Sequence, residues 1–354
     1  LSQQELAKTV LVTGATGYVA GWLVKKLLDE GHTVHAAVRH PDRVEKIAHL
    51  QRLAENAPGE IRFFKADLLT KGSYAAAMEN CEIVFHTASP FTTAVKDPQR
   101  ELVDPAKLGT RNVLEQANAT ASVQRVVLTS SCAAIYGDNI DLESTPNGEF
   151  TEEIWNTTSS LTHQPYSFSK TEAEKEAWRI ADEQQRWRLV VVNPSLVIGP
   201  ALNPKTNTSE SFVLLKQMGD GTLKSGVPRY GFGVVDVRDL AEAHYQAAIR
   251  PAAQGRHIIS AHNTFFIEMA AALQEKYGKD YPIPRRETPK WLVWLLGPMI
   301  NSALQRKVIA RNVGYPWIGN NSKSVNELGL AYRSLSESMN DTFQQLIDEG
   351  LVKK

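Results

Sequence analysis

Short runs of β-branched and other apolar residues punctuate the first two-thirds of the chain: Thr9–Thr13, Thr33–Val38, Ile61–Lys65, Ile83–His86, Val126–Thr129 and Leu189–Asn193. Between them lie segments with helical periodicity, Gly17–Glu30, Asp42–Glu55, Ser73–Glu79, Pro105–Ala119 and Phe168–Arg186. Most of the runs are apolar throughout rather than alternating, the mark of strands covered on both faces, and strands separated by helices imply parallel pairing. The expected fold is α/β, a doubly wound parallel sheet.

After "NPSLVIGP" (Asn193–Pro200) the rhythm gives way to loops rich in Asn, Thr, Gly and Pro with shorter helices. Residues 1–200 are therefore expected to form a nucleotide-binding domain and 201–354 mostly a smaller substrate-binding lobe. Segments near 234–260, "GVVDVRDLAEAHYQAAI" and "RHIIS", have the pattern to return to the first sheet. No internal repeat or low-complexity tail interrupts this organisation.

Charge changes the picture by exclusion. Lys plus Arg and Asp plus Glu both number 39, so no global field favours nucleic acid, and any anionic ligand must be held locally. Cys81 and Cys132 alone argue against a disulfide framework and fit a reducing compartment, so a cytoplasmic location is expected. The first residues lack a basic stretch followed by an apolar one and do not read as a secretory signal. The longest apolar run, Trp291–Ile300, is too short to span a bilayer and contains Gly297-Pro298, which is expected to break it. A core helix or pocket lid is its expected role, with monotopic membrane contact the less favoured alternative. The nine His include no metal-binding spacing, so no metal is expected.

"VLVTGATGYVAGWLVKKLLDEG" places a buried strand, a glycine turn and an amphipathic helix in succession. Gly14 permits the tight turn, Gly17 lets a pyrophosphate approach the helix N-terminus, and the small Ala20 suits close helix–strand packing. Thr13, Thr16, Tyr18 and Val19 complete this Rossmann-type cradle. The second strand ends at Arg39, where NAD-specific chains carry an acid. A guanidinium there pairs with a 2′-phosphate, so NADP(H) is the expected cofactor, with Arg43 and Lys46 as helpers; the alternative is a merely solvated strand end. Asp67 and Leu68 after the third strand, and Thr87, Ala88 and Ser89 after the fourth, are further cofactor candidates by topology.

The fifth strand ends in hydroxyls, Thr129, Ser130 and Ser131, facing the ligand crevice by the same topological rule. Tyr166 and Lys170 follow at the start of the next long helix, four residues apart and therefore on one face. Hydroxyl, phenol and ammonium can converge there. The charged residues beyond, Glu172 to Glu176, are expected to be solvated surface.

In the order TGATGYVA, ADL, FHTASP, DPAKLGTRNVLE, VVLTSS, YSFSK and NPSLVIGP, the chain resembles the extended short-chain dehydrogenase/reductases over nearly its whole length. "AAVRHPD" and "NSKSVNELGL" look most like the branch of dihydroflavonol reductases, cinnamoyl-CoA reductases and microbial aldehyde and ketone reductases. The resemblance implies Ser131, Tyr166 and Lys170 as catalytic triad, and Gly14, Gly17, Arg39, Asp67 and the loop from Pro194 to Val197 as cofactor contacts. In such a triad the ammonium is expected to lower the phenol pKa, Tyr166 to pass a proton to a carbonyl oxygen, and Ser131 to hydrogen-bond that oxygen. Ser130 remains an alternative to Ser131, because neighbouring strand residues point to opposite faces. Cys132, beside the site, reads as a buried small hydrophobe.

Departures limit the substrate. "HQPYSFSK" lacks the Asn-Trp-Tyr-Cys-Tyr run of cinnamoyl-CoA reductases, which disfavours a CoA thioester. Phe91, Thr92, Tyr136, Tyr230, Phe232 and the Trp291–Trp294 segment are candidates for an apolar substrate wall, each equally explained by core packing. The expected activity is NADPH-dependent reduction of an aldehyde or ketone, by a monomer or homodimer. A hydroxysteroid-type dehydrogenase, a sugar-nucleotide epimerase and a catalytically silent NADP(H)-sensing regulator are the alternatives.

Overall fold

A computed structural model describes residues 7–89, 95–300 and 304–353. Its first half follows the apolar runs closely: β1 (Thr9–Thr13), α1 (Tyr18–Asp29), β2 (Thr33–Val38), α2 (Val44–Glu55), β3 (Glu60–Lys65), α3 (Ala75–Met78), β4 (Ile83–His86), α4 (Asp104–Ala119), β5 (Arg125–Thr129), α5 (Pro165–Asp182) and β6 (Arg188–Pro194). Then come β7 (Leu196–Ile198), α6 (Glu210–Gly219), β8 (Val227–Pro228), β9 (Gly231–Asp236), α7 (Val237–Ile249), β10 (Gly255–Ile259), β11 (His262–Phe265) and α8 (Phe266–Tyr277). The chain closes with β12 (Glu287–Thr288), α9 (Lys290–Ile300), α10 (Arg306–Asn312), α11 (Ser322–Leu328) and α12 (Leu335–Asp348).

Seven parallel strands form the main sheet in the order β10-β6-β5-β4-β1-β2-β3. Helices α1, α2 and α7 bury one face around Leu23, Leu27 and Leu240. Helices α3, α4 and α5 bury the other around Met78, Leu114 and Ile180. The order reverses between β1 and β4, which opens the crevice where α/β sheets bind ligands. A second core, around Phe212, Leu215, Met269 and Phe343, joins α6, α8 and α12 to a three-stranded sheet, β11-β9-β7. Thus β7 already belongs to the second core, whereas β10 pairs with β6 and returns the chain to the first.

Three expectations are overturned. Helix α5 starts earlier, at Pro165, whose fixed φ suits the first helical position, and Gln164 before it takes a left-handed turn (φ 53). It also ends earlier, because the Gln184 side chain bonds the Arg186 and Trp187 amides and the Trp187 carbonyl and closes a turn. Glu174 and Glu176 on this helix are not solvated surface: they are 1 % and 6 % exposed. Glu174 accepts from Arg256 Nε (2.6 Å), and Glu176 from Arg111 Nε (2.8 Å) and Arg179 Nη2 (2.9 Å).

The third concerns the apolar run. Helix α9 continues through Gly297 and Pro298, and it is not a core element: of its residues only Val293 and Gly297 are buried. Proline removes one internal hydrogen bond, and an exposed segment can leave the freed carbonyl to solvent.

Candidate active site

The glycine turn is held by the tips of neighbouring strands. Thr13 Oγ1 accepts from the amides of Thr87 (3.1 Å) and Ala88 (3.0 Å), so its own proton goes to His86 Nδ1 (3.0 Å). The Thr87 hydroxyl returns a bond to the Thr13 carbonyl. Burial, with the Lys170 charge adding to it, pushes His86 down to about 3 and keeps it neutral. This pin brings Ala88 against Gly14, which sits at φ +63 where a Cβ would lie 3.1 Å from the Ala88 Cβ. A side chain at Gly14 is therefore excluded twice, by strain and by space.

Beyond the turn, α1 begins with no side-chain cap and no acid in its first turn. Its first amides, from Tyr18 and Val19 onward, have no acceptor inside the helix, an anion-binding arrangement that fits a pyrophosphate. The Tyr18 side chain points elsewhere, donating to the Gly199 carbonyl (2.6 Å). Arg39 and Lys46 are exposed beside the tip of β2, which the Ala15 amide reaches through the Ala37 carbonyl (3.3 Å). Asp67 is exposed at the tip of β3 with its carboxylate accepting from the Leu69 amide (2.8 Å), while Leu68 packs on Gly109 of α4. Pro194 ends β6 of the main sheet and Val197 lies in β7 of the three-stranded sheet. The backbone and exposed charges at these tips thus fit a dinucleotide.

The three hydroxyls ending β5 have different destinations. Thr129 donates to His244 Nε2 on α7 (2.7 Å), since His244 Nδ1 gives its proton to Leu240. Ser130 turns into the opposite core and donates to Glu174 (2.5 Å). Ser131 caps the short turn Cys132–Ala134, accepting from the Ala133 amide (3.1 Å), which leaves its proton available. Cys132 is buried, and that burial pushes its thiol well up.

Helix α5 meets this turn through Thr171, whose hydroxyl approaches the Ala133 carbonyl (3.5 Å). Lys170 Nζ donates to Ser89 Oγ (3.0 Å) and stands 5.7 Å from the centre of the Tyr166 ring. Burial pushes Lys170 down to about 8. The expected lowering of the phenol is not found in the protein alone. The cleft walls, with the charge of Glu210 at the start of α6, push Tyr166 up to about 12. Half of that side chain is open to solvent, which moderates the rise. Either way the phenol is protonated at neutral pH.

A second buried hub was not legible in the sequence. Asp138 is fully buried and accepts from His163 (2.7 Å), Arg311 Nε (2.5 Å) and Asn312 Nδ2 (2.7 Å). These partners hold its carboxyl below the usual range. Gln164, in the left-handed turn before Tyr166, also donates to it (3.3 Å). Asp138 therefore ties the entry of α5 to α10 of the second lobe. No residue spacing announces this, because the partners are far apart in the chain.

Of the candidate substrate residues, Tyr136 stacks on Phe150 (4.8 Å) with Trp317 at its edge (6.0 Å). Tyr230 stacks on Phe232 (4.8 Å). The phenols of Tyr136 and Tyr230 face the same Asp138 charge. Phe91 and Thr92 lie outside the described residues. Trp291 and Trp294 are exposed on α9. A groove of about 520 Å³ lined by Lys224, Lys279 and Arg285 lies in the second lobe and contains none of the predicted site residues.

Comparison with known proteins identifies the family. A cinnamoyl-CoA reductase of Medicago truncatula is 41% identical over 280 residues, covering 78% of this chain and 83% of its own length. Tetraketide alpha-pyrone reductase 1 of Arabidopsis thaliana is 34% identical over 350 residues, covering 97% and 96%. The yeast methylglyoxal/isovaleraldehyde reductase Gre2, solved with NADPH, superposes with a TM-score of 0.76 at 28% identity, covering 97% of this chain and 100% of that one. The model of the NAD dependent epimerase/dehydratase family matches residues 10–260, spanning the sheet, the glycine turn and the Tyr166–Lys170 helix, and the chain belongs to that family.

Proposed function

We propose that this chain is an NADPH-dependent reductase that converts an aldehyde or ketone to the alcohol. The observation that carries the reading is the Lys170 ammonium, 3.0 Å from Ser89 at the tip of β4 and 5.7 Å from the Tyr166 ring. It sets a cation and a protonated phenol on the strand tips beside the glycine cradle. The cofactor, when bound, supplies the hydride. Tyr166 gives its proton to the carbonyl oxygen, Ser131 donates a hydrogen bond to the charge developing there, and Lys170 favours the phenolate left behind. The exposed Arg39 guanidinium suits the 2′-phosphate of NADPH; Gre2, similar in fold, was solved with that cofactor. Tyr136, Tyr230 and Phe232 give the substrate side an aromatic wall suited to a bulky apolar carbonyl.

A second reading rests on one observation, the 41% identity to a cinnamoyl-CoA reductase. In it the carbonyl is that of a CoA thioester. The test measures NADPH consumption with aldehydes, ketones and a cinnamoyl-CoA thioester, with Tyr166→Phe as control. Turnover of the aldehydes or ketones and a loss of roughly 10²–10⁴-fold in the Phe variant are expected. A Phe variant as fast as the parent overturns the proton donor, and turnover confined to the thioester overturns the substrate class. NADPH binding without any turnover favours a sensing role instead.

A further inference from the structure

Helix α9 presents apolar side chains on the side facing away from the protein. Its buried stripe is Val293 and Gly297, one helical turn apart. Leu295 and Met299, a turn apart on the opposite side by helical periodicity, are 49% and 83% exposed, and Trp291 is 67% exposed. A helix apolar all round is expected inside a core or a membrane. This one has only its Val293 side in a small core cluster, and with eleven residues it is about 16 Å long, against roughly 30 Å of bilayer hydrocarbon. Among the described residues no helix is long and apolar enough to cross a membrane.

The charge around the helix selects what covers it. From Thr288 to Asn326 the sequence contains no Asp or Glu. Lys290 opens α9, and Arg306 and Lys307 follow it on α10, all three exposed. The Arg306 guanidinium lies 4.5 Å from the Trp294 ring, so one of these cations sits against the apolar surface itself. Glu287, just before this stretch, is engaged by Arg229 (3.0 Å). A two-fold interface through this face would set Lys290, Arg306 and Lys307 near their own copies with no acid in that stretch to meet them. An anionic lipid surface complements both features, with the apolar face among the acyl chains and the cations at the headgroups. Tryptophan is favoured at that boundary.

We propose that α9 docks the protein on an anionic membrane surface, lying in the plane of the bilayer interface. The inner side of α9 packs, through Val293, in the small cluster that includes Tyr230. Docking would therefore set the aromatic wall close to the lipid, a consequence that rests on the substrate reading above; the docking itself does not.

The experiment is flotation of the full chain with phosphatidylcholine vesicles, with and without about one-third phosphatidylserine, at low salt. Binding to the anionic vesicles alone, weakened by salt, is expected. Leu295→Asp with Met299→Asp should lower it by roughly tenfold or more. Lys307→Ala should lower it roughly fivefold. Both side chains of the double variant face solvent, and an unchanged melting temperature shows that it folds. No flotation with anionic vesicles, or equal flotation of the double variant, overturns the proposal. So does self-association in sedimentation velocity that the double variant abolishes without vesicle binding, which would make a second copy of this chain the occupant. None of these readouts depends on reductase activity, so they stand or fall apart from the proposed function.

Discussion

The two sides of the cleft are built by different means. On the glycine side, β1 and β4 meet through Thr13, His86, Thr87 and Ala88, with backbone groups, two small hydroxyls and one imidazole forming the bonds. On the Tyr136 side, side chains meet from segments more than 170 residues apart, as Asp138 with Arg311 and Asn312. Helix α5 lies between and is fastened to both. Glu174 bonds it to β5, β6 and β10, and the Asp138 hub bonds its entry to α10. A dinucleotide is a fixed shape that backbone geometry can meet, whereas a variable substrate must be met by side chains.

Glu174→Ala should disturb both sides at once. It leaves Arg256 buried without its carboxylate and should cost about 3–5 kcal/mol of stability, read by chemical denaturation. Gly14→Ala should act on one side only. Strain at positive φ and the contact with Ala88 should cost roughly 1–3 kcal/mol, expressed mainly as weaker NADPH binding by titration. Asp138→Asn should act on the other. Loosening the entry of α5 should lower kcat roughly tenfold with NADPH affinity nearly unchanged. Equal losses of turnover and cofactor binding in that variant would break the comparison.

Two pH effects sharpen it. Lys170 is held at about 8, below its ordinary value, so its charge is present at neutral pH and lost as pH rises. Carbonyl reduction, followed as kcat/KM, should fall as pH passes through about 8, and Lys170→Arg should move that limb to higher pH. Because the folded pKa is depressed, the unfolded chain binds more protons between about 8 and 10.5, and this group's contribution to stability rises with pH there. Glu176, also depressed, gives the same direction over a lower pH window. Arg179 and Arg111 hold it at about 2, so its contribution is present above its ordinary value near 4.5 and is lost as pH falls through about 2. Both arginines are partly exposed, so solvent screens the pair. Glu176→Gln should cost only about 1 kcal/mol at pH 7 and progressively less as pH falls through about 2, read from acid denaturation curves.

The glycine side was legible because strand, turn and helix adjoin in the chain. The apolar runs gave the strands of the main sheet within a residue or so, and the turn between β1 and α1 followed from Gly14 and Gly17 alone. Glu174 and Glu176 were misread because a helix of mixed charges carries the same pattern whether its acids meet water or arginines from distant elements. Helix α9 was misread for the opposite reason. An apolar run signals a preference for burial, but not whether the protein supplies the burial.

The sequence by itself determined the parallel sheet, the crevice at β1 and β4 and the residue types at its rim, since each depends on local periodicity and on a topological rule. Only the tertiary structure decided that Ser130 faces Glu174 while Ser131 caps the crevice turn, that Asp138 joins α5 to α10, and that α9 turns its apolar face outward. Those are outcomes of long-range packing, in which a side chain's partner is set by the fold as a whole and leaves no trace in the spacing of its neighbours.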